Sequence, residues 1–122
     1  MELLKKLAET AGVPGHEDAI RALTRSEMSK VCDRVTTDAL GNVIGSRGGR
    51  PPRGKKATGR KVMVVAHMDE IGFMVSHVEE RTGFLRIHPI GGFDPKTLIA
   101  QRVMVHGKKK LRGVIGSKPI HI

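Results

Sequence analysis

The chain has 122 residues, enough for one ordinary domain, and only 2% of them are aromatic. Its net charge of +10 is unevenly spread, because residues 47–61 hold seven basic and no acidic side chains. Such a run is typical of a solvated loop. The sequence contains no Tyr or Trp on which nucleic-acid bases could stack, so its composition disfavours specific nucleic-acid binding.

Cys32 is the only cysteine, which excludes an intramolecular disulfide and fits a reducing compartment. The N-terminal stretch MELLKKLAET carries charges within an amphipathic pattern and has no apolar core of the kind found in signal peptides or membrane spans. The sequence therefore predicts a cytoplasmic protein with no membrane partner. Cys32 itself is interpreted as a small buried hydrophobic residue, because no motif frames it as a nucleophile.

The first 45 residues predict two helices and a strand pair. Apolar residues at helical spacing predict a helix over residues 2–11, which Gly12 would end and a turn over residues 13–15 would follow. Glu17 and Asp18 favour the first turn of a second helix that reaches Cys32. The β-branched segments 35–37 and 43–44, separated by a turn with Gly and Asn, predict an antiparallel pair.

The next two segments differ sharply in character. Residues 46–60 contain four Gly, two Pro and six basic side chains, so they predict an exposed basic loop. Residues 62–66, VMVVA, form a short apolar run that is typical of a strand buried on both faces. In open α/β sheets, ligand-binding side chains collect at the carboxyl ends of such strands.

His67 and Asp69 directly follow this predicted strand and should point to the same side, because side chains alternate along a strand. A histidine that binds a metal must be neutral, and a carboxylate on its second ring nitrogen fixes the required tautomer. The triplet is short, however, and also fits a strand that ends in a polar turn with a hydrogen-bonded histidine. Four further histidines show no ligand spacing and are interpreted as surface or turn residues: His16, His77, His88 and His106.

The second half predicts short strands at short spacing. Two helices and a hairpin cannot cover both faces of a parallel sheet, so the first half predicts only the start of an α/β sheet. The second half resembles a small antiparallel barrel or sandwich, and the whole is expected to be a fragment or one part of a split protein. The predicted elements of the second half are strands at residues 72–78 and 84–87, a turn at 79–83, a break at 91–95, and a hairpin in which 103–106 pairs with 111–115 around a turn at 107–110.

Residues 66–75, AHMDEIGFMV, closely resemble the tetrahedral aminopeptidases. These are dinuclear-metal peptidases that include glutamyl and deblocking aminopeptidases, and some relatives have been labelled endoglucanases. Further similar stretches extend the resemblance, in collinear order, over nearly the whole chain: residues 40–44, 89–92, 94–103 and 113–122.

The resemblance implies an α/β catalytic domain, begun by residues 1–71, and a β-rich insert, begun by residues 72–122. In the family, this insert builds dimers and then dodecamers. The first metal-binding histidine corresponds to His67, and the aspartate that orients it corresponds to Asp69. The other ligands of the two divalent ions, Zn or Co, lie after the insert in the family. His121 falls in a similar stretch but has no local partner.

The leading interpretation is the N-terminal portion of a metal-dependent aminopeptidase acting on peptides, inactive as this chain alone. Two alternatives stay open at this point. One is a non-catalytic assembly module whose β-rich half pairs with partner chains. The other is a basic nucleic-acid-binding domain, for which the basic residues at 47–61 are the only signal.

Overall fold

The computed structural model of the protein describes residues 1–49, 53–54 and 59–117. These residues form a mixed structure in which six strands pair into three separate antiparallel sheets of two strands each. The elements in chain order are α1 (Glu2–Glu9), α2 (Asp18–Ser29), β1 (Arg34–Thr37), β2 (Val43–Ser46), β3 (Gly72–Val78), β4 (Leu85–Ile90), α3 (Pro95–Leu98), β5 (Arg102–His106) and β6 (Lys110–Val114).

The two predicted helices are present but shorter than expected. α1 ends at Glu9. The backbone of the next residue, Thr10, is extended, and its hydroxyl donates a hydrogen bond to the Lys6 carbonyl. Gly12 is therefore not the helix stop. The predicted turn at residues 13–15 is confirmed, since the His16 amide donates to the Val13 carbonyl at 2.8 Å. No helix in the described ranges is long and apolar enough to cross a membrane.

The best-packed part of the described chain lies around α2. Ile20, on this helix, is only 4% exposed and is the one hydrophobic residue buried to this degree in the described ranges. α1, β1 and β2 all contact α2. The predicted apolar face of α1 is nevertheless exposed, with Leu4 at 70%, so the described residues bury little of it.

The predicted pair of β1 and β2 is confirmed, in a register that places Arg34 opposite Ser46 and Thr37 opposite Val43. Asp38 organises the turn between them, because its carboxylate accepts hydrogen bonds from the Leu40 and Asn42 amides and from the Asn42 side chain. The hydrogen bond from that side chain is the main reason why the pKa of Asp38 lies below its ordinary value. Behind the hairpin, Cys32 is half-buried, less covered than predicted.

The prediction of a buried strand at residues 62–66 is wrong for the described structure, which has no strand there. Val62, Met63, Val64 and Val65 are 83%, 86%, 89% and 78% exposed. An apolar strand is buried only if neighbouring strands pair with its backbone and other elements cover its faces. No described segment does either, and the run therefore lies exposed.

The C-terminal half follows the predicted hairpins closely. β3 pairs with β4 in a register of Gly72 with Ile90, interrupted by a bulge between Val75 and His77. The predicted turn joins them, with the Gly83 amide donating to the Glu79 carbonyl at 2.7 Å. β4 begins one residue later than predicted and runs on to residue 90. Because β5 and β6 form a sheet of their own, a closed barrel remains a prediction.

The sequence prediction missed α3, a single helical turn. Asp94 caps it by accepting a hydrogen bond from the Lys96 amide at 3.0 Å, and Pro95 occupies its first turn, where a missing N–H costs nothing. The predicted break before it is confirmed by Gly91, whose φ of 95° requires a residue without a Cβ. α3 then leads into the predicted hairpin of β5 and β6, which pairs Arg102 with Val114.

Candidate active site

The two side chains that the sequence singled out lie together. Nδ1 of His67 is 3.0 Å from Oδ1 of Asp69. An ionised carboxylate can only accept hydrogen bonds, so this geometry places the ring proton on Nδ1 and leaves the lone pair of Nε2 free. This hydrogen bond is also the main reason why the pKa of Asp69 lies below its ordinary value. The His67 ring is 92% exposed, so its free nitrogen is accessible.

The residues that follow this pair are anchored to the loop between α1 and α2. The Glu70 amide donates to the Gly12 carbonyl at 2.9 Å, and Glu70 Oε1 accepts from the Gly12 amide at 3.3 Å. Gly12 is buried, and a Cβ there would lie 2.5 Å from Cγ2 of Ile20. The site segment is therefore attached to the best-packed part of the described chain.

A second network connects the α2 N-terminus to the hairpin turn. Arg21 donates from Nε to the Gly41 carbonyl at 3.0 Å and from Nη2 to Glu17 at 3.2 Å, and both charged side chains are largely buried. A hydrogen bond from the Gly15 amide is the main reason why the pKa of Glu17 is low, whereas the negative charge of Asp69 acts to raise it. These hydrogen bonds connect the first turn of α2 to the turn between β1 and β2.

Comparison with known proteins places this chain in a family. Residues 41–122 match the M42 glutamyl aminopeptidase family. The chain belongs to that family. A lysyl aminopeptidase of Pyrococcus furiosus is 46% identical over 99% of this chain, which covers 33% of that protein.

Solved structures of two aminopeptidases share the described conformation. An aminopeptidase from the archaeon Desulfurococcus kamchatkensis is 44% identical, with a TM-score of 0.83 over 98% of this chain and 32% of its own. A TET aminopeptidase from a marine-sediment Thaumarchaeota archaeon is 35% identical, with a TM-score of 0.82 over 100% of this chain and 32% of its own. The chain thus spans about a third of the length of the relatives it matches.

The described part of this M42 chain does not contain a complete metal site. Among residues 1–49, 53–54 and 59–117, no three His, Cys, Asp or Glu side chains come together in a way that could hold an ion. The four histidines interpreted as surface or turn residues are all exposed, in agreement with that interpretation. His121 lies outside the described residues, as does much of the basic loop at 46–60.

An open cleft of about 570 Å³ lies between the β3–β4 hairpin and α3, and neither His67 nor Asp69 lines it. Within it the rings of Phe73 and Phe93 stack, with centroids 4.5 Å apart. The cleft is therefore a packing feature of the second half, separate from the candidate site.

Sequence reasoning did not assign a role to Glu70 or Arg21. Glu70 stood next to the H-x-D triplet, but its partner Gly12 is 58 residues away, and a single sequence carries no signal for that contact. Arg21 lay within a predicted helix with acidic neighbours on the preceding turn, a pattern that ordinarily indicates only an exposed ion pair.

Proposed function

We propose that this chain is the N-terminal portion of a metal-dependent aminopeptidase that removes N-terminal residues from peptides. The observation that supports this most directly is the His67–Asp69 pair, with a free ring nitrogen, in a chain that belongs to the M42 family. Relatives that resemble it over almost its whole length carry aminopeptidase names.

The chemistry of the donor set fits a divalent ion. Neutral imidazole and carboxylate are ordinary ligands of Zn²⁺ and Co²⁺, and His67 would bind through Nε2. Asp69 would hold the ring in the tautomer that keeps this nitrogen free, as carboxylates commonly do for metal-binding histidines. When two such ions are bound, they polarise the scissile carbonyl and make water a stronger nucleophile at neutral pH.

One imidazole cannot hold the ions alone, since a catalytic zinc takes about three protein ligands. The remaining ligands would come from the part of the longer protein that this chain does not span. Within this chain, the task of Asp69 would be to fix the imidazole orientation, and the task of His67 would be to bind. This division is consistent with described residues that include one candidate ligand and the carboxylate that would orient it.

The domain organisation proposed for the longer protein follows the family resemblance. Residues 1–71 would begin the catalytic domain and residues 72–122 would begin a barrel-like insert through which the protein forms dimers and then dodecamers. The TET name of one structural relative supports this assembly, and β3 beginning at Gly72 supports the boundary. We also propose a cytoplasmic location, which fits the single free cysteine, Cys32.

The test measures hydrolysis of amino-acid anilides. The 122-residue chain should be inactive with or without Zn²⁺ or Co²⁺, and activity should appear when the remaining part is supplied covalently or by co-expression. In that completed protein, His67→Ala should abolish turnover, whereas His106→Ala, which removes an exposed histidine on β5, should not.

Two results would contradict the proposal. Metal-dependent turnover by the short chain alone would show that it needs no further ligands. A completed protein that is indifferent to His67→Ala would refute the assigned ligand and favour a non-catalytic assembly module.

A further inference from the structure

The candidate pair is exposed, so its own surroundings do little to fix it. The His67 ring is 92% exposed and the Asp69 side chain is 38% exposed. The segment before the pair, residues 62–66, makes no sheet contacts in the described structure. The orientation of the pair must therefore depend on how the backbone is held after Asp69.

Glu70, the next residue, holds that backbone through two hydrogen bonds to one partner. Its amide donates to the Gly12 carbonyl at 2.9 Å, and its carboxylate accepts from the Gly12 amide at 3.3 Å. The main chain and the side chain of Glu70 thus both bind Gly12, one at its carbonyl and the other at its amide, and together they form a grip on this residue. The carboxylate bond is the longer of the two, so it adds to the backbone bond and does not replace it, and it forms although Glu70 is exposed.

Gly12 is a suitable anchor because it cannot move easily. It is buried against Ile20, the most buried apolar residue in the described ranges, and a Cβ at Gly12 would lie 2.5 Å from Cγ2 of Ile20. Just beyond the grip, Gly72 packs against Val13, where an added Cβ would lie 2.5 Å from Cγ2 of Val13. The contacts at Gly12 and Val13 together hold the chain immediately after the pair.

We propose that Glu70 is a positioning residue: its grip on Gly12 holds His67 and Asp69 in the orientation needed to bind metal. This inference rests on the proposed function and assigns to it a residue that touches neither metal nor substrate. Glu70 acts through the backbone of its neighbour, so its effect should appear as metal affinity and ligand geometry more than as stability.

The test compares Glu70→Ala, Glu70→Gln and Glu80→Ala in the completed protein. Glutamine keeps the acceptor oxygen, alanine removes it, and Glu80 is an exposed acidic residue in the turn between β3 and β4. Glu70→Ala should weaken Co²⁺ binding by about tenfold, the lower end of the effect of residues that support metal ligands, and alter the visible spectrum of the bound ion. Glu70→Gln should remain within about threefold of the parent, a difference of less than 1 kcal/mol. Glu80→Ala should match the parent.

A second measurement does not depend on metal. Hydrogen exchange followed by mass spectrometry should show faster exchange of the Gly12 amide in Glu70→Ala, because this amide loses its acceptor, and faster exchange across residues 67–69. Glu70→Gln should retain most of the protection at both places. Thermal melting checks that the variants remain folded.

The outcomes separate the inference from the function on which it rests. If the parent binds Co²⁺ and hydrolyses anilides while Glu70→Ala binds equally well, the inference is overturned and the proposed function stands. If Glu70→Gln keeps the protection of the Gly12 amide but binds Co²⁺ as weakly as Glu70→Ala, the charge of Glu70 matters and its hydrogen bond to Gly12 does not, which also overturns the inference. If the parent binds no metal, the proposed function fails, and with it the role of Glu70 at a metal site, even if hydrogen exchange still shows the grip on Gly12.

Discussion

Nδ1 of His67 lies 3.0 Å from Oδ1 of Asp69. The contact forms although residues 62–66, which precede it, are not a strand in the described structure. It is therefore a local contact between side chains two positions apart in the sequence, and it does not require that residues 62–66 pair in a sheet. If His67 is a metal ligand, as we propose, this contact would already hold its ring in the tautomer that leaves Nε2 free before the other ligands are supplied.

Replacing Asp69 with asparagine should weaken metal binding without abolishing it. Asparagine can still accept a hydrogen bond from Nδ1 but lacks the charge that favours it, so we expect metal affinity or turnover in the completed protein to fall by roughly 10–100-fold. Isothermal titration with Zn²⁺ and anilide hydrolysis would measure both. Glu80→Gln, which removes one negative charge from an exposed turn, is the matched control. Equal behaviour of the two variants would contradict a role for Asp69.

The exposed run at residues 62–65 should cause the 122-residue chain to self-associate. An exposed apolar segment whose backbone is not paired in a sheet favours edge-to-edge pairing and hydrophobic association. Val64→Lys should reduce association without lowering stability, because Val64 is 89% exposed. Leu40→Lys, at an equally exposed residue in the β1–β2 turn, should have little effect. Sedimentation velocity at several concentrations would test this, and a parent chain that stays monomeric throughout would contradict it.

The stacked rings of Phe73 and Phe93 should stabilise the second half of the chain. Their centroids are 4.5 Å apart at an interplanar angle of 21°. Phe93→Leu keeps most of the apolar surface and loses the stack, so it should lower the free energy of unfolding by about 0.5–1.5 kcal/mol. Phe84→Leu, at a residue that is 73% exposed, should change it by less than about 0.5 kcal/mol. Urea denaturation would measure both, and similar losses for the two variants would refute a specific stack.

Asp38 should make stability depend on acid pH. Its pKa lies below the ordinary value of 3.8, chiefly because the Asn42 side chain donates to it. A carboxylate with a lowered folded-state pKa stabilises the fold above its unfolded pKa, and this contribution disappears as pH falls through the folded value. Asp38→Asn should therefore be less stable than the parent above about pH 4, with a gap that narrows at lower pH.

Urea denaturation at a series of pH values would measure that gap. Asn42→Ala removes the main donor, so in its background the effect of Asp38→Asn should be smaller. A gap that is independent of pH would contradict the assignment to this carboxylate.

Elements with local causes could be predicted from the amino-acid sequence. Helical periodicity located α1 and α2, turn residues located the three hairpins, and the H-x-D spacing located two side chains that do touch. It also carried the resemblance that the M42 match confirms. Even the missed α3 had a local signal in Asp94 and Pro95, a cap followed by a residue suited to the first turn of a helix.

The exposure of residues 62–66 and the partner of Glu70 depend on contacts between segments distant in the chain. The same VMVVA run is buried in a sheet or exposed to water according to whether other strands pair with it, and the run itself cannot supply them. Glu70 meets Gly12 across 58 residues, in a contact that forms because the loop after α1 packs against Ile20 and presents the amide and carbonyl of Gly12 to the site segment. Local periodicity shows which face of an element is apolar. What that face packs against depends on the free energy of contacts between segments distant in the chain.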